Sequence, residues 1–119
     1  GTVILSTRAP IGKLAITTVP MCCNQGFKNI ICGDNINNIY LYYYLMYTMD
    51  KIKLLGRGVT FKEVSKSAIA DFGVVTPPLT NQQQFAEIIE AIENQKKLVK
   101  KSLQEVETLF NSRMDYYFN

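Results

Sequence analysis

The chain has 119 residues, enough for one domain with a modest core and too few for two. Its 47% hydrophobic content reads as globular and soluble, and the absence of histidine removes the commonest general base and the usual nitrogen ligand of a zinc site. The net charge of +3 is unevenly placed: residues 1–80 carry eight basic and four acidic side chains, residues 81–119 five and six. The first part is therefore the one a polyanion would meet, although ordinary soluble domains often carry a surplus of this size.

In chain order, TVILS (2–6) and KLAITTV (13–19) are β-branched runs joined through Pro10 and Gly12, which predicts two strands and a loop. Cys22, Cys23 and Cys32 have neither a disulfide-framework pattern nor a metal spacing, so they read as thiols in a reducing cytosol. A third strand is expected over 27–32, entered through Gly26. Asn37 then suits the N-cap of a helix beginning near Asn38. Leu41, Leu45, Thr48, Ile52 and Leu55 recur at spacings of four and three, giving that helix one apolar face, with Lys51 and Lys53 at its negative end. The tyrosines Tyr40, Tyr42, Tyr43, Tyr44 and Tyr47 lie all round it, a placement that suits core and interface packing better than base stacking. The apolar run IYLYYYLMYTM (39–49) is far shorter than the roughly 20 residues that span a bilayer.

Gly56-Arg57-Gly58 ends the helix in a turned loop. A short helix or turn over 65–70 and a strand over 72–76 are expected next. Pro77 and Pro78 can neither extend that strand nor donate to its ladder. Thr80-Asn81-Gln82-Gln83 has the spacing of a capping box, and a helix from about Asn81 to Tyr117 contains no Gly or Pro. Within it Phe85, Ile88, Ile92, Val99, Val106 and Leu109 fall on one uninterrupted three-four seam, with polar Gln95 and Ser102 in its middle. Such a helix runs roughly 55 Å at 1.5 Å per residue, and the seam calls for another long helix to pack on. The expected fold class is α+β, with a small mixed globule over 1–79 and a spacer or dimerisation helix over 80–119.

Catalytic signatures are sparse. No GxxxxGK[ST] phosphate loop or GxGxxG turn occurs, and Gly56-Arg57-Gly58 follows a helix rather than a strand. TPPL (76–79) shares only its prolines with the Asn/Asp-Pro-Pro-aromatic motif of DNA amino-methyltransferases, and it reads as an exit turn. Catalysis by this chain alone is not expected. The chemistry that stands out is cationic and amide side chains on loops: Arg8, Lys13, Asn24, Gln25, Arg57, Thr60 and Lys62. Cations neutralise phosphates, while Arg, Asn and Gln pair with base edges. Solvated surface charge is the plain alternative. Arg57, between two glycines, is the best placed to reach guanine O6 and N7, and Lys13 and Lys62 suit phosphates.

GTVILSTRAPIGKLAI, NQGF, YLYYYL, GRGVTFKEVSKSAI and PPLTNQQQFAEII, followed by the long helix, occur in this order. The set resembles the specificity subunit of type I restriction-modification enzymes over nearly the whole chain. The resemblance implies the C-terminal part of a target recognition domain reading half of a bipartite double-stranded DNA site. It also implies a spacer helix that pairs with a second long helix, of the parent chain or of a homodimer mate. A non-catalytic, cytoplasmic, prokaryotic protein follows, with no membrane partner. Methylation and cleavage would belong to modification and restriction subunits holding S-adenosylmethionine, ATP and Mg, with no cofactor on this chain.

Two departures accompany the likeness. The chain starts on Gly1 within a strand, so an N-terminal half of the recognition domain is expected upstream. The family's loop is more often Gly-small-Gly, where this chain has Arg57 and Val59. Two rival readings stay open: a coiled-coil assembly module that does not bind DNA, and a single-strand or RNA binder using the tyrosines.

Overall fold

The strand β1 (Val3–Ser6) is buried along its whole length because it is the middle strand of three and a helical layer covers it. A computed structural model describes residues 1–58 and 62–119. β2 (Leu14–Ile16) and β3 (Phe27–Ile30) flank β1, both antiparallel, with Ile4 opposite Ala15 on one side and Asn29 on the other. Strand pairing is shorter than the β-branched runs suggest, ending at Ile16 and Ile30 rather than at 19 and 32. Gly12 turns the β1–β2 link with φ +105°, and a Cβ there would come within 2.9 Å of Met49 Sδ. Only glycine fits that turn.

Helix α1 (Asn38–Tyr47) begins at the expected cap, where the Asn37 side chain accepts from the N–H groups of Ile39 and Tyr40. The expected single helix to Leu55 is instead two. The Thr48 hydroxyl donates to the Tyr44 carbonyl at 2.8 Å, and α2 (Met49–Lys53) starts after it. Such back-bonding bends a helix. The apolar face survives the break: Leu41, Leu45, Met49 and Ile52 pack with Val3 and Leu5 as one core. The short α3 (Lys66–Asp71) is capped by Ser65, whose hydroxyl accepts from the Ala68 N–H.

The expected strand over 72–76 is absent; no ladder forms there. Tyrosine hydroxyls of α1 take the carbonyls that a sheet would have used. Tyr40 donates to the Val75 carbonyl at 2.6 Å and Tyr44 to the Gly73 carbonyl at 3.3 Å, while Phe72 and Val74 lean on the core. The run is β-branched because it lies extended against a packed surface, not because it pairs.

The long helix α4 (Leu79–Phe118) is continuous over 40 residues. It starts earlier than the capping-box reading, with the Pro78 carbonyl accepting from the N–H groups of Asn81 and Gln82. Thr80 lies inside the first turn, and Gln83 is exposed. Proline loses nothing at a helix start, where its missing N–H would be unpaired anyway. The neighbouring Gln82 is fully buried. Its Oε1 accepts from the Asn37 N–H at 2.8 Å, and its Nε2 donates to the carbonyls of Asn35 and Pro77. The architecture is α+β, and the chain divides into two compact units, Gly1–Ala86 and Glu87–Asn119.

Candidate nucleic-acid interface

Two loops at one end of the sheet carry four of the seven predicted side chains. Arg8 and Lys13 belong to the β1–β2 link, and Asn24 and Gln25 to the turn before β3. The link is fixed by Ser6, whose hydroxyl donates to the Pro10 carbonyl at 2.7 Å and accepts from the Lys13 N–H at 2.8 Å. The second turn is fixed by Asn24, whose Oδ1 accepts from the Gly26 N–H at 2.8 Å. Buried Thr7 ties the two together, its N–H donating to the Gly26 carbonyl at 2.8 Å. Arg8, Lys13, Asn24 and Gln25 therefore line one concavity of about 590 Å³ beside Pro10 and Phe27.

A third segment joins from the far side of Arg8. Arg57 and Glu63 exchange both backbone hydrogen bonds at 2.9 Å, and the Val64 N–H donates to the Thr7 carbonyl at 2.9 Å. Glu63 thus sits in the middle of a short ladder, opposite Arg57 on one side and Arg8 on the other. Gly58, with φ +117°, permits the chain to turn after Arg57. Lys62 and Glu63 line a smaller hollow of about 400 Å³ with Arg8 and Ala9, so Arg8 borders both depressions. Arg8 Nε and Glu63 Oε1 are 3.2 Å apart, both half exposed. Thr60 lies outside the described residues.

Four of the seven candidates thus share one concavity, and Lys62 lines the hollow that Arg8 also borders. Arg57 is joined to them through its backbone pairing with Glu63, a residue the sequence reading overlooked. Its signal was faint, because the pairing of Glu63 with Arg8 joins segments far apart in sequence.

The predicted seam residues lie elsewhere. Phe85 meets Tyr40 and Tyr43 edge-on, with ring centres 5.8 and 6.1 Å away. Ile88, Ile92, Val99, Val106 and Leu109 are all exposed. Burial raises the Cys32 thiol pKa above its ordinary value, which the amino group of Gly1 partly opposes. Among the described residues no three His, Cys, Asp or Glu side chains gather as metal ligands would, and no helix is long and apolar enough to cross a membrane.

Residues 1–108 match the family model described as the type I restriction modification DNA specificity domain. The chain belongs to that family. It is 39% identical over 103 residues to the type I restriction enzyme MjaIX specificity subunit of Methanocaldococcus jannaschii, covering 82% of this chain and 24% of that protein. A second protein of the same organism, provisionally named the type I restriction enzyme MjaX specificity subunit, is 29% identical over 106 residues, or 88% of this chain and 25% of its own length. The chain thus spans about a quarter of each relative. Within this specificity-domain chain, the matched region includes both loops, the Arg57–Glu63 ladder and most of α4.

Proposed function

We propose that this chain recognises double-stranded DNA sequence as part of the specificity subunit of a type I restriction-modification complex. The observation that carries the reading is the gathering of Arg8, Lys13, Asn24 and Gln25 around one concavity, with Lys62 and Arg57 beside it. Lys13 and Lys62 are point charges suited to phosphates, whereas Arg57 and the amides of Asn24 and Gln25 suit base edges. Thr60 joins this group by its place in sequence alone. The chain does no chemistry itself: modification and restriction subunits supply methylation and cleavage in the cytoplasm, and they hold S-adenosylmethionine, ATP and Mg. Helix α4 serves as spacer and assembly element, its stripe of Ile88, Ile92, Val99, Val106 and Leu109 covered by a second long helix.

The test is selection from a pool of duplexes with a randomised core, by the gene product co-purified with its modification subunit. One enriched sequence is expected. Lys13 and Lys62 on phosphates would contribute about −1.8 to the salt slope, or about a tenfold loss over a fourfold rise in salt. Lys13→Ala and Lys62→Ala should each lower that slope by about 1 and weaken all duplexes alike. Arg57→Ala should relax preference at one base pair by about 1–3 kcal/mol and leave the slope nearly unchanged.

The exposed stripe on α4 also supports a second reading, a coiled-coil assembly module without DNA binding. That module would bind its partner at high salt and enrich no duplex.

A further inference from the structure

The carboxylate in the middle of a cationic surface needs its own account. Among the described residues lining the two hollows, Glu63 is the one acid, set among the three cations Arg8, Lys13 and Lys62. Facing phosphates, a carboxylate there lowers affinity, and an exposed ion pair adds little to stability. Yet its backbone is fixed. Its N–H and carbonyl are both bonded to Arg57 at 2.9 Å, and the next residue, fully buried Val64, is bonded to Thr7. Laterally opposed residues of an antiparallel ladder share a face, which brings the side chains of Arg8 and Glu63 together. They form an ion pair in which Arg8 Nε lies 3.2 Å from Glu63 Oε1.

That choice of nitrogen matters. A guanidinium is planar, and when its Nε edge meets a carboxylate, its outer pair of amino groups points away from that carboxylate. Those two groups are the fork that meets guanine O6 and N7 together. We infer that Glu63 is a positioning residue that holds Arg8 with its outer fork turned outward to read a guanine, an inference that rests on the DNA-recognition reading above. Arg8 borders both hollows, so a fork projecting from it lies between the phosphate-suited Lys13 and Lys62. An arginine without such a brace samples many rotamers and neutralises whichever phosphate is near. A braced one presents one geometry.

The experiment repeats the duplex selection with wild type, E63Q, E63D, R8A and the R8A/E63Q double variant, followed by binding to single-base-pair variants of the enriched duplex. E63Q keeps the shape of the side chain and the ladder hydrogen bonds of the backbone, and melting temperature reports folding independently. R8A is expected to abolish preference at one G·C pair, lowering discrimination there about ten- to a hundredfold. E63Q is expected to lower discrimination at that same pair at least about fivefold while strengthening binding to unrelated duplexes. The double variant should lose no more discrimination than R8A alone, and E63D should keep part of it. The proposal is overturned if E63Q shifts all duplexes evenly, if R8A merely lowers the salt slope, or if the two variants act at different base pairs. Wild-type protein that enriches no sequence overturns the DNA reading and this inference together, whereas enrichment left unchanged by E63Q overturns this inference alone.

Discussion

The two units of the chain are ordered by different means. In Gly1–Ala86, β1 is buried throughout and a core of Val3, Leu5, Leu41, Leu45, Met49 and Ile52 forms around it. In Glu87–Asn119 no residue is buried, although Ile88, Val99, Val106 and Leu109 are each at least 58% exposed apolar side chains. Local pairs such as Glu93–Lys96 at 3.3 Å contribute only about 0.2–0.5 kcal/mol each. Long helices draw most of their stability from packing an amphipathic face. The contrast teaches that the first unit carries its own reason to fold, while the second presents an apolar seam that its own residues leave exposed.

The sharpest way to break this comparison is at Gln82, the fully buried amide at the start of α4. Gln82→Leu would orphan the Asn37 N–H and the carbonyls of Asn35 and Pro77 at once. Each buried group left unpaired costs about 1–3 kcal/mol, so a loss of about 3–5 kcal/mol in urea unfolding of the first unit is expected. Tyrosine fluorescence follows that unit through Tyr40, Tyr42, Tyr43 and Tyr44. A loss below about 1 kcal/mol would mean that the globule does not depend on this junction.

Much of the fold was legible in the sequence, for physical reasons that differ by element. Helix α4 could be read because its order is local: three-four spacing, no Gly or Pro, and a start marked by two prolines. The Asn37 cap was legible for the same reason. Residues 72–76 misled because β-branched composition records burial against a surface and does not say whether the neighbour is a strand or two tyrosines. TNQQ had the letters of a capping box, but Pro78 had already accepted the first N–H groups. At the site, loop cations and amides announced themselves by type. Glu63 did not, since its place depends on pairing with both Arg57 and Arg8.

A second variant probes the other unit. If a partner helix covers the seam, α4 pairs with itself when that partner is absent, and Val99→Asp places a carboxylate in each copy of the paired face. Losing two buried valines and burying charge should weaken association by about 2–3 kcal/mol, roughly a hundredfold. Sedimentation equilibrium reads the change. The tyrosine-detected stability of the first unit should move by less than about 0.5 kcal/mol. A wild-type protein that stays monomeric at high micromolar concentration would remove the seam's claim on a helical partner.

The smallest expected effect belongs to Tyr40, and its sign can be worked out in advance. Its hydroxyl donates to the Val75 carbonyl at 2.6 Å, holding the extended 72–76 segment on the globule. Burial, and secondarily the neighbouring Tyr44, raises the Tyr40 pKa above its ordinary value of 10.0. A phenol whose pKa is higher folded than unfolded favours folding while protonated. Its contribution is therefore complete below about pH 10 and is lost as pH rises through the folded value. Tyr40→Phe removes the hydrogen bond and this titration together while keeping the ring against Tyr44 and Phe85. At neutral pH the variant should be less stable by about 0.5–1 kcal/mol, the lower part of the usual range because the bond is exposed. Above pH 10 the gap between wild type and variant should narrow, since the wild-type phenolate can no longer donate. Paired urea titrations across that range measure the gap directly, and the other tyrosines cancel in the difference. A gap that stays constant with pH would show that the hydroxyl does not hold the segment.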